Sequence, residues 1–397
     1  MSLLHLTGKW LAGLVSALAI FCSSATWADQ TAAPAAALPA ALSQAWVDAF
    51  AGLSSDPRPP ALVRDTHYIV SNEDSHFVWR TMLEGRGGIY VGVGTDQNYL
   101  LAGWVRPELL ILLDFDQVVV DLHRVYGVIF LNSPTPHDFM DMWEDRNVRR
   151  VEELIEALKV DAPTRKGMLA AYRMAHFAVP RRLRRVEATY KPQGIRWFLN
   201  DINQYRYLVE LFRTGRVIAI RGDLSVGGAM NAVASSAQKV GGVVRTLYLS
   251  NAERYFPYTP GFKQSMLALP TDDRSLVVRT RARINGVYEY IAQDASNFKR
   301  WLDWGKMGYA VELTRHRELD KATGAYVIRR EPPKAKTSSK SERDAGSQEK
   351  RAAIAANDRQ GSVPGPAARV FVPSAQPPTA APTSSLPGAA STAPAPR

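Results

Sequence analysis

The sequence predicts an α/β chain built on a doubly wound, mostly parallel sheet with late antiparallel strands. Three observations predict it. Short runs of β-branched and apolar residues are continuous rather than alternating, as in strands covered on both faces. Amphipathic helical stripes separate these runs, the pattern of crossover connections. Each run ends in a polar or glycine-bearing cluster, where doubly wound sheets keep their ligands.

The 397 residues are 46% hydrophobic and 22% charged, enough for a substantial core. The single cysteine, Cys22, excludes a disulfide framework and a cysteine zinc site. Net charge is +11, but residues 321–397 hold 12 Lys and Arg against 5 Asp and Glu. The basicity therefore belongs mainly to the tail, and a general basic face for nucleic acid is not indicated.

Residues 1–28 read as an export signal: Lys9, an apolar stretch from Trp10 to Phe21, then Thr26-Trp27-Ala28 before cleavage. An uncleaved inner-membrane anchor is the alternative, and a lipoprotein on Cys22 a further one. The body is expected in the periplasm or secreted. Residues 29–60 form an Ala/Pro-rich linker and a helix with Leu42, Ala45, Trp46, Ala49, Phe50 and Leu53 on one face, closed by Asp56-Pro57-Arg58-Pro59-Pro60. The α/β domain is expected over residues 61–325. Residues 331–397 carry 11 of the 25 prolines and read as a disordered basic tail. Such a tail suits contact with an anionic envelope surface.

Within the domain, Gly88–Val93 and Leu109–Leu113 read as buried strands. A helix with Val119, Leu122, Tyr126, Ile129 and Phe130 on one face follows, then one with Val148, Val151, Ile155 and Leu158. The run Arg181-Arg182-Leu183-Arg184-Arg185 reads as a solvated helix start after Pro180, or as a phosphate or headgroup contact. Another helix spans roughly Trp197 to Phe212. Val217–Ile220 and Val243–Leu249 are further buried strands around an Ala-rich helix. Ser275–Thr280 and Val287–Ile291 form a late, antiparallel pair.

Four clusters at strand ends are candidates for a site. Gly92 and Gly94, with Asp96 and Asn98 beyond them, allow close approach of a ligand to the backbone, or mark a tight turn. Asp114 or Asp116, about 20 residues on, stands where a carboxylate accepts ribose hydroxyls, or caps the next helix. Asp223 lies in a loop, Gly222–Gly228, that reads as an anion-binding turn, as a plain helix start, or as a poor match to a nucleophile elbow around Ser225. Asn251 and Glu253 suit a substrate polar group or proton transfer, or else a helix cap. Ser71-Asn72-Glu73 either reaches the same edge or caps the helix at Phe77–Leu83. The histidines lack metal-clamp spacing.

Taken together, Ser71-Asn72-Glu73, Gly88–Asn98, the Asp114 strand, Gly222-Asp223-Leu224-Ser225, Tyr248–Phe256 and Leu269–Thr280 resemble blocks of a bacterial family represented by a Leptospira orphan protein. The resemblance covers residues 65–300. It implies a Rossmann-like fold of the class I methyltransferase type. On that analogy Gly92, Gly94, Asp96 and Asn98 line S-adenosylmethionine, Asp114 or Asp116 holds its ribose, Asp223 lies near its adenine, and Asn251 faces substrate. The implied activity is methyl transfer to an unknown substrate. The alternatives are a non-catalytic envelope protein holding a nucleoside-like or anionic ligand, or a hydrolase or transferase using Asp223, Asn251 and Glu253.

Overall fold

A computed structural model describes residues 40–283 and 287–333. The expected export signal, the expected linker up to residue 39 and the expected tail beyond residue 333 lie outside the described residues.

Eight strands form one sheet: β1 Ile89–Val93, β2 Leu109–Asp114, β3 Val217–Arg221, β4 Val244–Tyr248, β5 Leu276–Ala282, β6 Tyr288–Asp294, β7 Glu318–Leu319 and β8 Tyr326–Ile328. Their order is β3-β2-β1-β4-β5-β6-β8-β7. The first five are parallel, with Val91 opposite both Ile111 and Leu247. Strand β6 runs antiparallel to β5, and β7 antiparallel to β8. The late pair is thus present as expected. Strand β8 carries the sheet to Ile328, past the expected domain end at residue 325, and its antiparallel partner β7 is only two residues long.

Helices pack on both faces. They are α1 Gln44–Ala51, α2 Arg80–Leu83, α3 Gln97–Val105, α4 Gln117–Leu131, α5 Pro136–Asp141, α6 Val148–Glu156, α7 Ala162–Ala175, α8 Ala178–Tyr190, α9 Ile202–Arg213, α10 Gly228–Lys239, α11 Pro260–Ala268, α12 Ala295–Asp303 and α13 Ala310–Thr314. Strand alternation divides the core between them. Tyr90, Leu110, Leu112, Tyr248 and Val278 pack with residues of α3, α4 and α6–α9. Val91, Ile111, Leu113, Leu247 and Val277 pack with residues of α1 and α10–α12. Continuous apolar strands follow from this arrangement, because neither face of the central strands meets water.

Two local differences from expectation have clear causes. The N-terminal helix belongs to the fold, since Phe50 is buried in the second core and Ser236 Oγ donates to the Ala49 carbonyl at 2.6 Å. The basic run lies in the first turns of α8 with Arg181, Arg184 and Arg185 exposed as expected, but Arg182 is buried. Val179, Arg182, Leu183, Val186 and Tyr190 share one helical face, so the 3.6-residue period carries Arg182 inward with its apolar neighbours.

Candidate functional site on the strand-end rim

Parallel β1–β5 end on one edge of the sheet. This brings the Gly94–Asn98, Asp114–Asp116, Gly222–Ser225 and Ser250–Glu253 clusters to a common rim. The strand order reverses between β1 and β4, so the crevice of a doubly wound sheet falls there.

The first glycine turn is filled from within. A Cβ on Gly92 would lie 2.0 Å from Asn98 Oδ1 and 2.4 Å from the Tyr90 ring, and one on Gly94 2.2 Å from Gln97 Nε2. Asn98 accepts from Tyr90 OH at 2.8 Å and donates to the Val93 and Thr95 carbonyls at 3.2 Å each. Asp96 is buried. It accepts from Ser71 N–H at 2.7 Å and from Arg182 Nε at 2.9 Å. Arg182 also donates to Asp74 and to the Glu73 carbonyl. An arginine from α8 thereby clamps the turn to the Ser71–Asp74 segment.

The two aspartates after β2 differ. Asp116 caps α4, accepting from Val118 N–H at 3.0 Å, and its other oxygen lies 2.7 Å from His67 Nδ1. Asp114 is not a cap. Its Oδ1 accepts from Asp116 N–H at 2.9 Å. Burial, and secondarily the Asp116 charge, nevertheless pushes its pKa up to about 7. A folded-state value above the ordinary one means the native state holds the proton longer. Stability from this group is full below the ordinary aspartate range and is lost as pH rises towards 7. Asp114→Asn is expected to remove that slope. In urea titrations at pH 8 the variant should gain about 2 kcal/mol relative to the wild type, with the gain vanishing near pH 4. Parallel pH profiles would refute the assignment.

The anion loop before α10 is also occupied by the chain itself. Buried Asp56 places Oδ1 3.0 Å from Ala229 N and Oδ2 2.9 Å from Asp223 N, and its oxygen fills the space Gly228 leaves open. Arg221 Nε holds the Asp56 carbonyl at 2.8 Å. Asp223 turns onto its own loop, accepting from Ser225 N at 2.8 Å and Ser225 Oγ at 2.6 Å. The left-handed residue here is Gly227, not Ser225, so Ser225 lacks the strained backbone of a nucleophile elbow. Asp56 was not legible as a site residue, because it sits in a Pro-rich stretch with no spacing signal.

Glu253 is buried against Arg279, 2.8 Å from its Nε, and accepts from Tyr258 OH. It is half of an internal ion pair. Asn251, half-buried, stands ahead of the short 3-10 turn Ala252–Arg254 and makes no side-chain cap bond to it. The carboxylate that joins the rim's elements is instead Glu73. Its Oε1 accepts from Thr280 Oγ1 at 2.6 Å and Ser250 Oγ at 2.8 Å, and its Oε2 from Tyr248 OH at 2.6 Å, with His76 Nε2 at 2.9 Å. Burial alone would raise its pKa; the bonds from His76, Thr280 and Tyr248 more than offset that and hold it below the ordinary range. Of the two expectations for Ser71-Asn72-Glu73, the structure realises the first: the segment reaches the rim.

Above Glu73 lies a more open surface. Tyr68 and Tyr255 are each 38% exposed. The Tyr255 phenol is held above its ordinary range by desolvation and by neighbouring Tyr68, against the opposite pull of Arg254 and Arg64. Tyr288 is raised by burial and then by Glu73, despite a bond with Asn72. Three of the four non-glycine residues with left-handed backbone among those described, Arg64, Asp65 and Ser250, belong to the segments that meet here.

Of the positions that the methyltransferase resemblance assigns to S-adenosylmethionine, all but Asp114 are engaged by side chains within the chain. The glycine spaces hold Asn98 and Gln97, Asp96 pairs with Arg182, Asp116 caps a helix, and Asp223 closes its own loop.

No curated protein sequence matches the chain. A family model described as Domain of unknown function (DUF7790) matches residues 68–329, which takes in the sheet and its rim. The chain belongs to the DUF7790 family.

Proposed function

We propose that this is an exported ligand-binding protein whose ligand sits on the strand-end rim, over the β1/β4 reversal, and that it works without S-adenosylmethionine. The observation that carries this reading is the filling of the Gly92 and Gly94 spaces by Asn98 and Gln97. On this reading the α/β frame is kept while the spaces beside Gly92 and Gly94 are packed with side chains. What the rim offers is the tyrosine pair Tyr68 and Tyr255 with Arg64 and Arg254 beside it. Tyrosine faces stack on planar rings, and guanidinium groups favour anions. The ligand is therefore a ring-bearing anion of the nucleoside monophosphate kind. The basic tail would hold the protein to an anionic envelope surface while the rim faces its ligand.

Calorimetric titration of the full chain tests this with adenosine monophosphate, S-adenosylmethionine and S-adenosylhomocysteine as probes. Adenosine monophosphate is expected to bind, about tenfold more weakly in Tyr255→Ala. The two methionine-bearing probes are expected to give no heat. Micromolar S-adenosylmethionine binding, lost in Asp114→Ala, would restore the methyltransferase reading.

A further inference from the structure

Three histidines near the rim are used differently. His76 gives Nε2 to Glu73. His123 is spent on both nitrogens, Nδ1 on Tyr99 OH at 2.9 Å and Nε2 on the Gly94 carbonyl at 2.8 Å, and burial pushes it down to about 4. His76 Nδ1 is unpartnered but buried, so His67 alone among these has its unbonded nitrogen on a part-exposed ring. Its Nδ1 meets Asp116 Oδ2 at 2.7 Å, its side chain is 35% exposed, and no described residue bonds its Nε2.

The support behind that contact is rigid. Asp116 is buried, its second oxygen is fixed by Val118 N–H, and its own N–H is fixed by Asp114 Oδ1 at 2.9 Å. Behind it stand Asp114 and, one turn along α4, Asp121; Arg64, Asp65 and Tyr68 flank His67 on its own segment. The backbone approaches through Arg64 and Asp65, with φ of 54° and 47°. Two successive non-glycine residues in that region are costly, and such strain concentrates where a side chain must be aimed.

We propose that His67 is the proton-exchanging ligand contact of the rim, with Asp116 as its positioning residue, and that it meets the phosphate of a phosphate-bearing ligand. The proposal rests on the ligand reading above. A carboxylate at Nδ1 fixes the tautomer and leaves Nε2 as the acceptor. When a phosphate monoester dianion arrives, Nε2 takes one proton from solvent. The resulting imidazolium lies between the Asp116 carboxylate and the phosphate, and both anions favour it. No covalent bond to the ligand forms or breaks.

Two measurements on the full chain decide it. The first uses nitrogen NMR without ligand. The wild type is expected to carry the proton on Nδ1, and Asp116→Asn to shift it towards Nε2, the form free imidazole favours. The second titrates adenosine monophosphate at about pH 8, above the ordinary histidine range, in buffers of low and high ionisation enthalpy. Binding should take up a proton in the wild type and none in His67→Gln or Asp116→Asn, with affinity about tenfold lower in both. A wild-type Nε2–H tautomer overturns the pairing whatever binds. Binding without proton uptake, or unchanged in His67→Gln, overturns the inference and leaves the ligand reading standing. No binding of adenosine monophosphate overturns both.

Discussion

Glu73→Ala is expected to destabilise the protein by about 4 kcal/mol and to lower its Tm by roughly 10 °C. The carboxylate is buried and accepts from Tyr248, Ser250 and Thr280 while pairing with His76. Removing it takes away the acceptor these groups share, and each polar group left stranded costs about 1–3 kcal/mol. The partners come from β4, β5 and the segment before β1, so the loss also unties that segment from the sheet. Glu73→Gln should cost less, because hydroxyls can rotate to accept from the new amide. Urea unfolding of the three proteins checks the order. An alanine variant within about 1 kcal/mol of the wild type would mean that water replaces the carboxylate. Acid should act in the same direction as the mutation. The depressed Glu73 value makes its contribution present above the ordinary glutamate range and lost as pH falls through the lower native value.

The second large effect is expected at Arg182. Arg182→Met should cost about 4 kcal/mol, since it leaves the buried Asp96 carboxyl group without its cation. Removing one partner of a buried pair is far worse than removing both. The double variant Arg182→Met, Asp96→Asn should therefore recover at least about half of the loss, and a double-mutant cycle in urea would give a coupling of about 2 kcal/mol. Additive single effects would show that the two residues act apart. Asp74 makes full recovery unlooked for, because it also accepts from Arg182 and would keep only its bond to Arg185, at 2.9 Å.

These two clusters explain how the first glycine turn is held. Arg182 ties Asp96 to the Ser71–Asp74 segment, and Glu73 ties that segment to β4 and β5. The turn that resembles a cofactor loop is thus braced on both sides by internal salt bridges and hydrogen bonds. A loop that must open for a ligand is usually drawn from weakly packed structure; here it is among the best-satisfied parts of the fold. The more exposed Tyr68–Tyr255 surface is the better place to look.

The sequence by itself determined the class of the fold, because apolar runs without alternation occur where both sheet faces are covered. The parallel order followed from the helices between them, and the common rim followed from parallel strands. It also marked Ser71-Asn72-Glu73, though not which of two roles Glu73 takes. Only the tertiary structure decided what the polar residues are for. Asp96 meets Arg182 across 86 positions, Asp56 meets Asp223 N–H across 167, and Glu73 meets Thr280 across 207. A carboxylate at a strand end looks the same in a sequence whether it awaits a ligand or satisfies a distant part of the chain. The difference is which donors the folded chain brings within hydrogen-bonding reach, and no local pattern records that. Arg182 is the partial exception. Its place on the apolar face of α8 was legible from the helical period, and a charge on such a face requires a buried partner.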